Sequence, residues 1–301
     1  MSGASEARGR EAEAVNNASP TRSASAIARS LKQGRSHQKM TTKTSASIAV
    51  LLFICSAAYA QSYQPKVTPD GKPNLEGFWN NAAGSAPWDI EPHPNAFQIP
   101  GGPGIITDTP DKKIPYKPEL VAKRNDLRDN HIFDDPQGHC APSGIPRQTY
   151  TPFGFQIVQP RGHFVILYEA EHAYRDIRMD GSGHIPSSIK LWQGDSIGHW
   201  EGNTLVVDST NFNGRTWLDM SGNFTTESLH VIERYTPVDA DTIQYEARIE
   251  DPTIYTRAWT MAFPIRRNKQ KDYYILEFAC YEGERDLQHY TDDTGKPKQK
   301  N

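Results

Sequence analysis

The sequence predicts a mainly β protein: an antiparallel meander closed or curled into a barrel, preceded by an irregular Pro/Gly-rich segment with one short helix. Three observations carry this. From Phe153 onward, apolar residues recur with a period of two, as in "FQIVQP", "HFVILYEAE" and "TIQYEARIE", the period at which alternate side chains of a strand share a face. Turn residues punctuate these runs at Arg161-Gly162, Asp180-Gly181, Glu201-Gly202-Asn203 and Asp239-Ala240-Asp241. No helical pattern intervenes after Phe153, which disfavours the βαβ units of a parallel sheet.

In chain order, residues 1–39 are rich in Ser, Ala and Arg and read as a disordered extension or a misassigned start, with Met40 a natural first residue. A transit peptide is the lesser alternative, because residues 14–69 contain no acid. Residues 40–60, "MTTKTSASIAVLLFICSAAYA", combine Lys43, an apolar run over Ile48–Ile54 and a small-residue end at Ala58-Tyr59-Ala60. That is the layout of a secretory signal peptide cleaved before Gln61. The apolar run is too short for a bilayer span, which needs roughly 20 residues. Phe53-Ile54 before Cys55 are too bulky for a lipoprotein site.

Residues 61–130 are dense in Pro, Gly and Asn, which forbids long helices. Gly77-Phe78-Trp79 reads as a short strand. Residues 116–130 are the one helix candidate, with Pro118 in the first turn and Leu120, Lys123 and Leu127 near helical spacing. Residues 131–290 form the β domain, with strands expected in "FQIVQP", "HFVILYEAE", "AYRDIRMD", both arms of "SIGHWEGNTLVVDSTNF", "LHVIERYTPV", "TIQYEARIED", "AWTMAFPIRR" and "YYILEFACYE". Residues 291–301 read as a disordered tail. In "TIQYEARIE", Ile243, Tyr245, Ala247 and Ile249 share an apolar face. In "LHVIERY" both faces are mixed, since Glu233 sits with Leu229, Val231 and Tyr235; such a strand lines a polar cavity or lies at an edge.

Setting residues 1–60 aside leaves 25 basic and 33 acidic side chains, a net of −8. An acidic exported domain is a poor nucleic-acid binder, because phosphate recognition needs clustered Lys and Arg. No second hydrophobic segment follows, so the mature chain is expected to be soluble and free of the membrane. Two cysteines remain, Cys140 and Cys280. In an oxidising compartment an even pair reads as a disulfide, and closing so long a loop would stabilise the fold by about 4–5 kcal/mol. Two unpaired buried thiols are the alternative.

Three quoted stretches, "PNLEGFW" (73–79), "CAPSGIPR" (140–147) and "WEGNTLVVDSTNFN" (200–213), resemble the "PDLxGxW", "CxPxGxPR" and "WEGDTLVVDTxGFN" motifs of a large family of exported, poorly characterised bacterial proteins. The resemblance covers nearly all of 70–287 and implies export and fold class more than activity. Asn203 stands where Asp is usual, and Asn211 where Gly is usual; the second departure puts a bend near Phe212 in question. The meander is also similar to calycin-type barrels, at the level of fold alone.

"GDSIG" (194–198) matches the G-x-S-x-G pattern, but a turn and strand follow where a nucleophile elbow needs a helix, so Ser196 is read as structural. The nine histidines after residue 60 show no metal-binding spacing, and no P-loop or Rossmann pattern occurs; neither metal nor cofactor is expected. What remains is a set of polar residues near strand ends. His230 is the candidate base, Asp208 or Asp219 the carboxylate that orients it, and Arg178 or Arg147 the anion holder. His184, Asn211, Trp217 and Glu233 are candidate substrate contacts, with Trp217 at a pocket mouth. Each also has an ordinary reading, as a turn residue, a cap or a paired strand residue. The expected function is binding of, or metal-independent acid–base chemistry on, a small organic molecule, with Asp208 at the open end of the barrel. The alternatives are a periplasmic carrier of an apolar or aromatic ligand, and a structural or interaction module. Oligomeric state is not legible.

Overall fold

The computed structural model describes residues 63–278. They form a closed nine-stranded barrel in which neighbours in sequence are neighbours in space. The strands are β1 Gly77–Asn81, β2 Phe155–Val158, β3 His163–Tyr168, β4 Tyr174–Arg178, β5 Asp195–Glu201, β6 Thr204–Thr210, β7 His230–Asp239, β8 Thr242–Glu250 and β9 Trp259–Arg267. β9 returns to β1, pairing Arg267 with Trp79 and Ile265 with Asn81, so the sheet has no free edge there.

The meander is antiparallel with one exception. β4 and β5 run parallel and share the single registered pair Arg178↔Ile197. The connection over residues 179–194 crosses back along the wall before β5 begins, which a tight hairpin could not do. A second difference lies near the C-terminus. A strand was expected at 273–282, but residues 273–278 form none, because β1 already occupies the end of β9. Cys280 lies outside the described residues, as do residues 1–60 with Cys55.

The inward face follows the period of two. Ile243, Tyr245, Ala247 and Ile249 of β8 are at 0% exposure, while Gln244, Glu246 and Arg248 face outward. The mixed face of β7 is inward too. Glu233, at 0% exposure, pairs with Arg175 of β4 and accepts hydrogen bonds from the hydroxyls of Tyr235 (3.0 Å) and Tyr245 (2.9 Å). Arg175 also donates to Ser196 and Ser209. Its position bridges β4, β5, β6 and β7 from inside, across the thinly paired seam. A buried pair of this kind stabilises little relative to a packed apolar core, but removing one partner strands the other charge.

The three motif stretches each build a close contact. In "PNLEGFW", Gly77 takes φ +127, and a Cβ there would run into the Arg267 guanidinium; that guanidinium stacks 4.1 Å over the Trp79 ring. "CAPSGIPR" leads from the surface into buried structure. Gly144 (φ +74) abuts Thr216, Ser143 donates to Glu171 from both its N–H and hydroxyl, and the short helix α2, Arg147–Tyr150, is wholly buried. In the third stretch Asn203 donates to Tyr63 O at 3.1 Å, which an Asp could not do. Asn211 takes φ +61, so the bend is kept by the non-glycine residue that best tolerates it.

The segment between β1 and α2 wraps the outside. Residues 105–107 run along β9 through Ala262 N–H to Ile105 O (2.9 Å) and Thr107 N–H to Thr260 O (3.0 Å), beyond the reach of β1. Helix α1, Pro118–Asn130, follows the expected span. It packs Leu120 and Leu127 partly and Arg124 wholly inward, at the i, i+4 and i+7 positions of one face. Lys123 lies over the Phe224 ring.

Candidate functional site

Two polar constellations stand out, one on the barrel wall and one beside it. On the wall, β6 turns Asp208 outward between the inward-facing Val207 and Ser209, and β7 turns His230 outward beside it. His230 Nε2 stands 2.9 Å from Asp208 Oδ1, and its Nδ1 3.8 Å from Glu250. His184 places Nε2 at 3.3 Å from the same Asp208 oxygen and Nδ1 at 2.7 Å from Asp195. Arg178 closes the chain with two hydrogen bonds to Asp195, at 2.7 and 3.1 Å. The Asp195 carboxyl sits below its ordinary range: burial raises it, and the Arg178 and His184 hydrogen bonds outweigh that. Asn211 fixes the loop after His184 by donating to Ile185 O, Pro186 O and Ile189 O.

Four of the residues singled out from the sequence thus meet: Asp208, His230, His184 and Arg178. They meet on the outer surface, where β4 ends at Arg178 and β5 and β7 begin at Asp195 and His230. His184 has a carboxylate within hydrogen-bond reach of both ring nitrogens, whereas His230 has one at Nε2 alone, its Nδ1 lying 3.8 Å from Glu250. The row ties β4, β5, β6 and β7 together from outside, as Arg175 does from inside.

The other candidates lie elsewhere. Arg147 is 1% exposed and grips Asp135 at 2.8 and 2.6 Å. Trp217 packs in the core opposite Phe224, not at a pocket mouth. Glu233 is inside the barrel. Asp219 is fully buried and accepts from Ile90 N–H, Ser221 N–H, Asn223 N–H and Asn223 Nδ2. It ties the loop over 219–223 to the segment that carries Asp89.

Asp89 opens the second constellation. A cavity of about 810 Å³ lies between residues 88–97, the 113–116 stretch and helix α1. Trp88, Phe97 and Tyr116 give it aromatic walls, and Asp89, Glu91 and Arg124 a charged floor. Trp88 and Phe97 meet edge to face at 4.8 Å between centroids. Arg124 reaches Asp89 at 3.5 Å and Glu91 at 3.4 Å, and its Nε donates to Asn223 at 3.0 Å. Tyr116 OH donates to the same Asn223 oxygen. One guanidinium therefore stands among two carboxyls and an amide. Burial raises Asp89 above its ordinary pKa, against the Glu91 N–H and Arg124 that pull it down. Burial and the neighbouring Asp89 push Asp219 up to about 7 despite its N–H donors.

A second hollow of about 630 Å³ adjoins the first, lined by Ala83, Ala86, Ile99, Ile105 and Phe263, and it shares Asp89 with the first. None of this floor was legible in advance. "SAPWDIEPHP" (85–94) lies in the Pro/Gly-rich segment, and its density of Trp, Asp, Glu and His was the available signal. Arg124 reads as surface charge until α1 is docked. Among the described residues, no three His, Cys, Asp or Glu side chains stand together as metal ligands. No described helix is long and apolar enough to cross a membrane. The chain matches no protein-family model, no curated protein and no solved structure.

Proposed function

We propose that the protein binds a small organic molecule in the aromatic and acidic pocket beside the barrel and performs metal-independent acid–base chemistry there. The observation that carries this reading is the floor of the pocket. A buried carboxyl, Asp89, is held toward its protonated form within reach of Arg124, under walls of Trp88, Phe97 and Tyr116. A concave pocket with a few convergent polar groups and a perturbed carboxyl is the expected setting for both binding and proton transfer. The barrel interior is filled at the level of the Arg175–Glu233 pair, and the wall row is a continuous chain of ion pairs. Both features favour a scaffold role for those parts.

The test is ligand profiling by thermal shift on the full chain, alongside Val121→Trp. Val121 lines the pocket from the exposed face of α1, so the substitution fills the mouth without touching the core. Hits that stabilise the wild type and fail with Val121→Trp support the pocket. Hits indifferent to it place the site elsewhere. Binding without turnover would favour the carrier reading.

Export belongs to the same proposal and rests on the 40–60 segment. Intact mass of the secreted protein is expected to begin at Gln61; retention of residues 40–60 would contradict it. Cys140 carries no free thiol, which supports the cross-link to Cys280. Non-reducing peptide mapping is expected to recover the two joined.

A further inference from the structure

We infer that Ser85 and His93 form a nucleophile–base pair between the two hollows, making the site a hydrolase of carboxylic esters with an apolar acyl group. This rests on the pocket reading above and names its chemistry.

The geometry starts with His93. Its Nδ1 stands 3.0 Å from Pro94 O. A carbonyl oxygen only accepts, so in the neutral ring Nδ1 carries the hydrogen and Nε2 the lone pair. That lone pair faces Ser85 Oγ at 3.0 Å. The tautomer is the one a general base needs, and it is set by a fixed acceptor on the far nitrogen, the arrangement that activates a serine. The backbone holds the ring in place: His93 and Gly102 exchange hydrogen bonds at 3.1 and 3.0 Å. Ser85 is held as well, since its carbonyl accepts from Trp88 N–H at 2.9 Å.

Room for a substrate exists on both sides. Ser85 lines the apolar hollow and His93 the aromatic pocket. Directly over the pair sits Gly102, where a Cβ would overlap Ser85 Oγ and lie 3.3 Å from His93 Nε2. A side chain at position 102 would displace the pair, so this close approach requires glycine. The apolar hollow fits the acyl group, and the aromatic pocket fits a ring on the alcohol side.

In the reaction Ser85 Oγ bonds to the acyl carbon as its proton passes to His93 Nε2. The bond from that carbon to the alcohol oxygen then breaks, and the alcohol leaves with the proton. Water repeats the exchange, releasing the carboxylic acid and restoring the Ser85 hydroxyl. The Ser196 of "GDSIG" takes no part, since its hydroxyl is engaged by Arg175 inside the barrel.

The test treats the full chain with a fluorophosphonate and locates the adduct by peptide mapping, then follows p-nitrophenyl butyrate hydrolysis. Expected are one adduct on Ser85 and turnover that falls about 100-fold or more in Ser85→Ala and in His93→Gln, with both variants melting near the wild type. No adduct, an adduct on another serine, or Ser85→Ala within about twofold of wild type overturns the pair. If the pair fails while fragments still bind in a Val121→Trp-sensitive way, the pocket reading stands alone. If no fragment binds either, both fall.

Discussion

Arg175 shows what one residue does in this fold and how far a sequence reveals it. "YRDIR" alternates, so the strand is legible, and so is the inward side of Arg175. Its partner is not, because Glu233 lies on a strand reached through two intervening ones. The mixed face of β7 signalled a polar interior, and the structure fills that interior with a satisfied ion pair. Arg175→Met leaves Glu233 buried without its cation. Urea unfolding is expected to show a loss of about 3–5 kcal/mol; a loss under ~1 kcal/mol would mean that Glu233 takes up a proton at little cost. Asn211 is the converse case. Its side chain and its left-handed φ are both used, which reconciles the Gly-to-Asn departure with an intact bend.

At the level of elements, the hairpins were legible because each is local: a turn signal lies between two alternating runs. The parallel seam between β4 and β5 and the β9–β1 closure were not: no tight turn signal links β4 to β5 across residues 179–194, and β9 and β1 lie far apart in sequence. Helix α1 was legible as a span and not as a wall, because its key inward residue is an arginine. The seam has one registered pair and leans on side chains, Arg175 within and the Arg178–Asp195–His184–Asp208–His230 row without. Asp195→Asn removes the hub of that outer row. Faster amide exchange is expected over Tyr174–Arg178 and Asp195–Glu201, with the β7–β8 hairpin unchanged. Equal protection in both regions would show that the row does not hold the seam.

For the whole molecule, two sets of carboxyls pull the pH profile in opposite directions. Asp195 is lowered in the fold, so its contribution is present above the unfolded value near 4 and is lost as pH falls through the lower folded one. Asp89 and Asp219 are raised, so the fold favours their protonated forms. Their contribution is full below about pH 4 and is lost as pH rises toward 7. The groups facing them are Glu91, Arg124, Tyr116, Arg147, Tyr150 and Tyr255. The melting temperature is therefore expected to be higher at pH 5 than at pH 8, by roughly 1–3 kcal/mol in stability, and Asp89→Asn is expected to flatten the difference. A profile rising from 5 to 8 would contradict it.

The proposed site is a pocket outside the barrel, built from the Pro/Gly-rich segment and helix α1. Diffraction from crystals of the full chain soaked with a thermal-shift hit tests that placement most directly. Ligand density against Trp88, Tyr116 and Arg124 is the expected result; density inside the barrel, or against the His184–Asp208–His230 row, would contradict it.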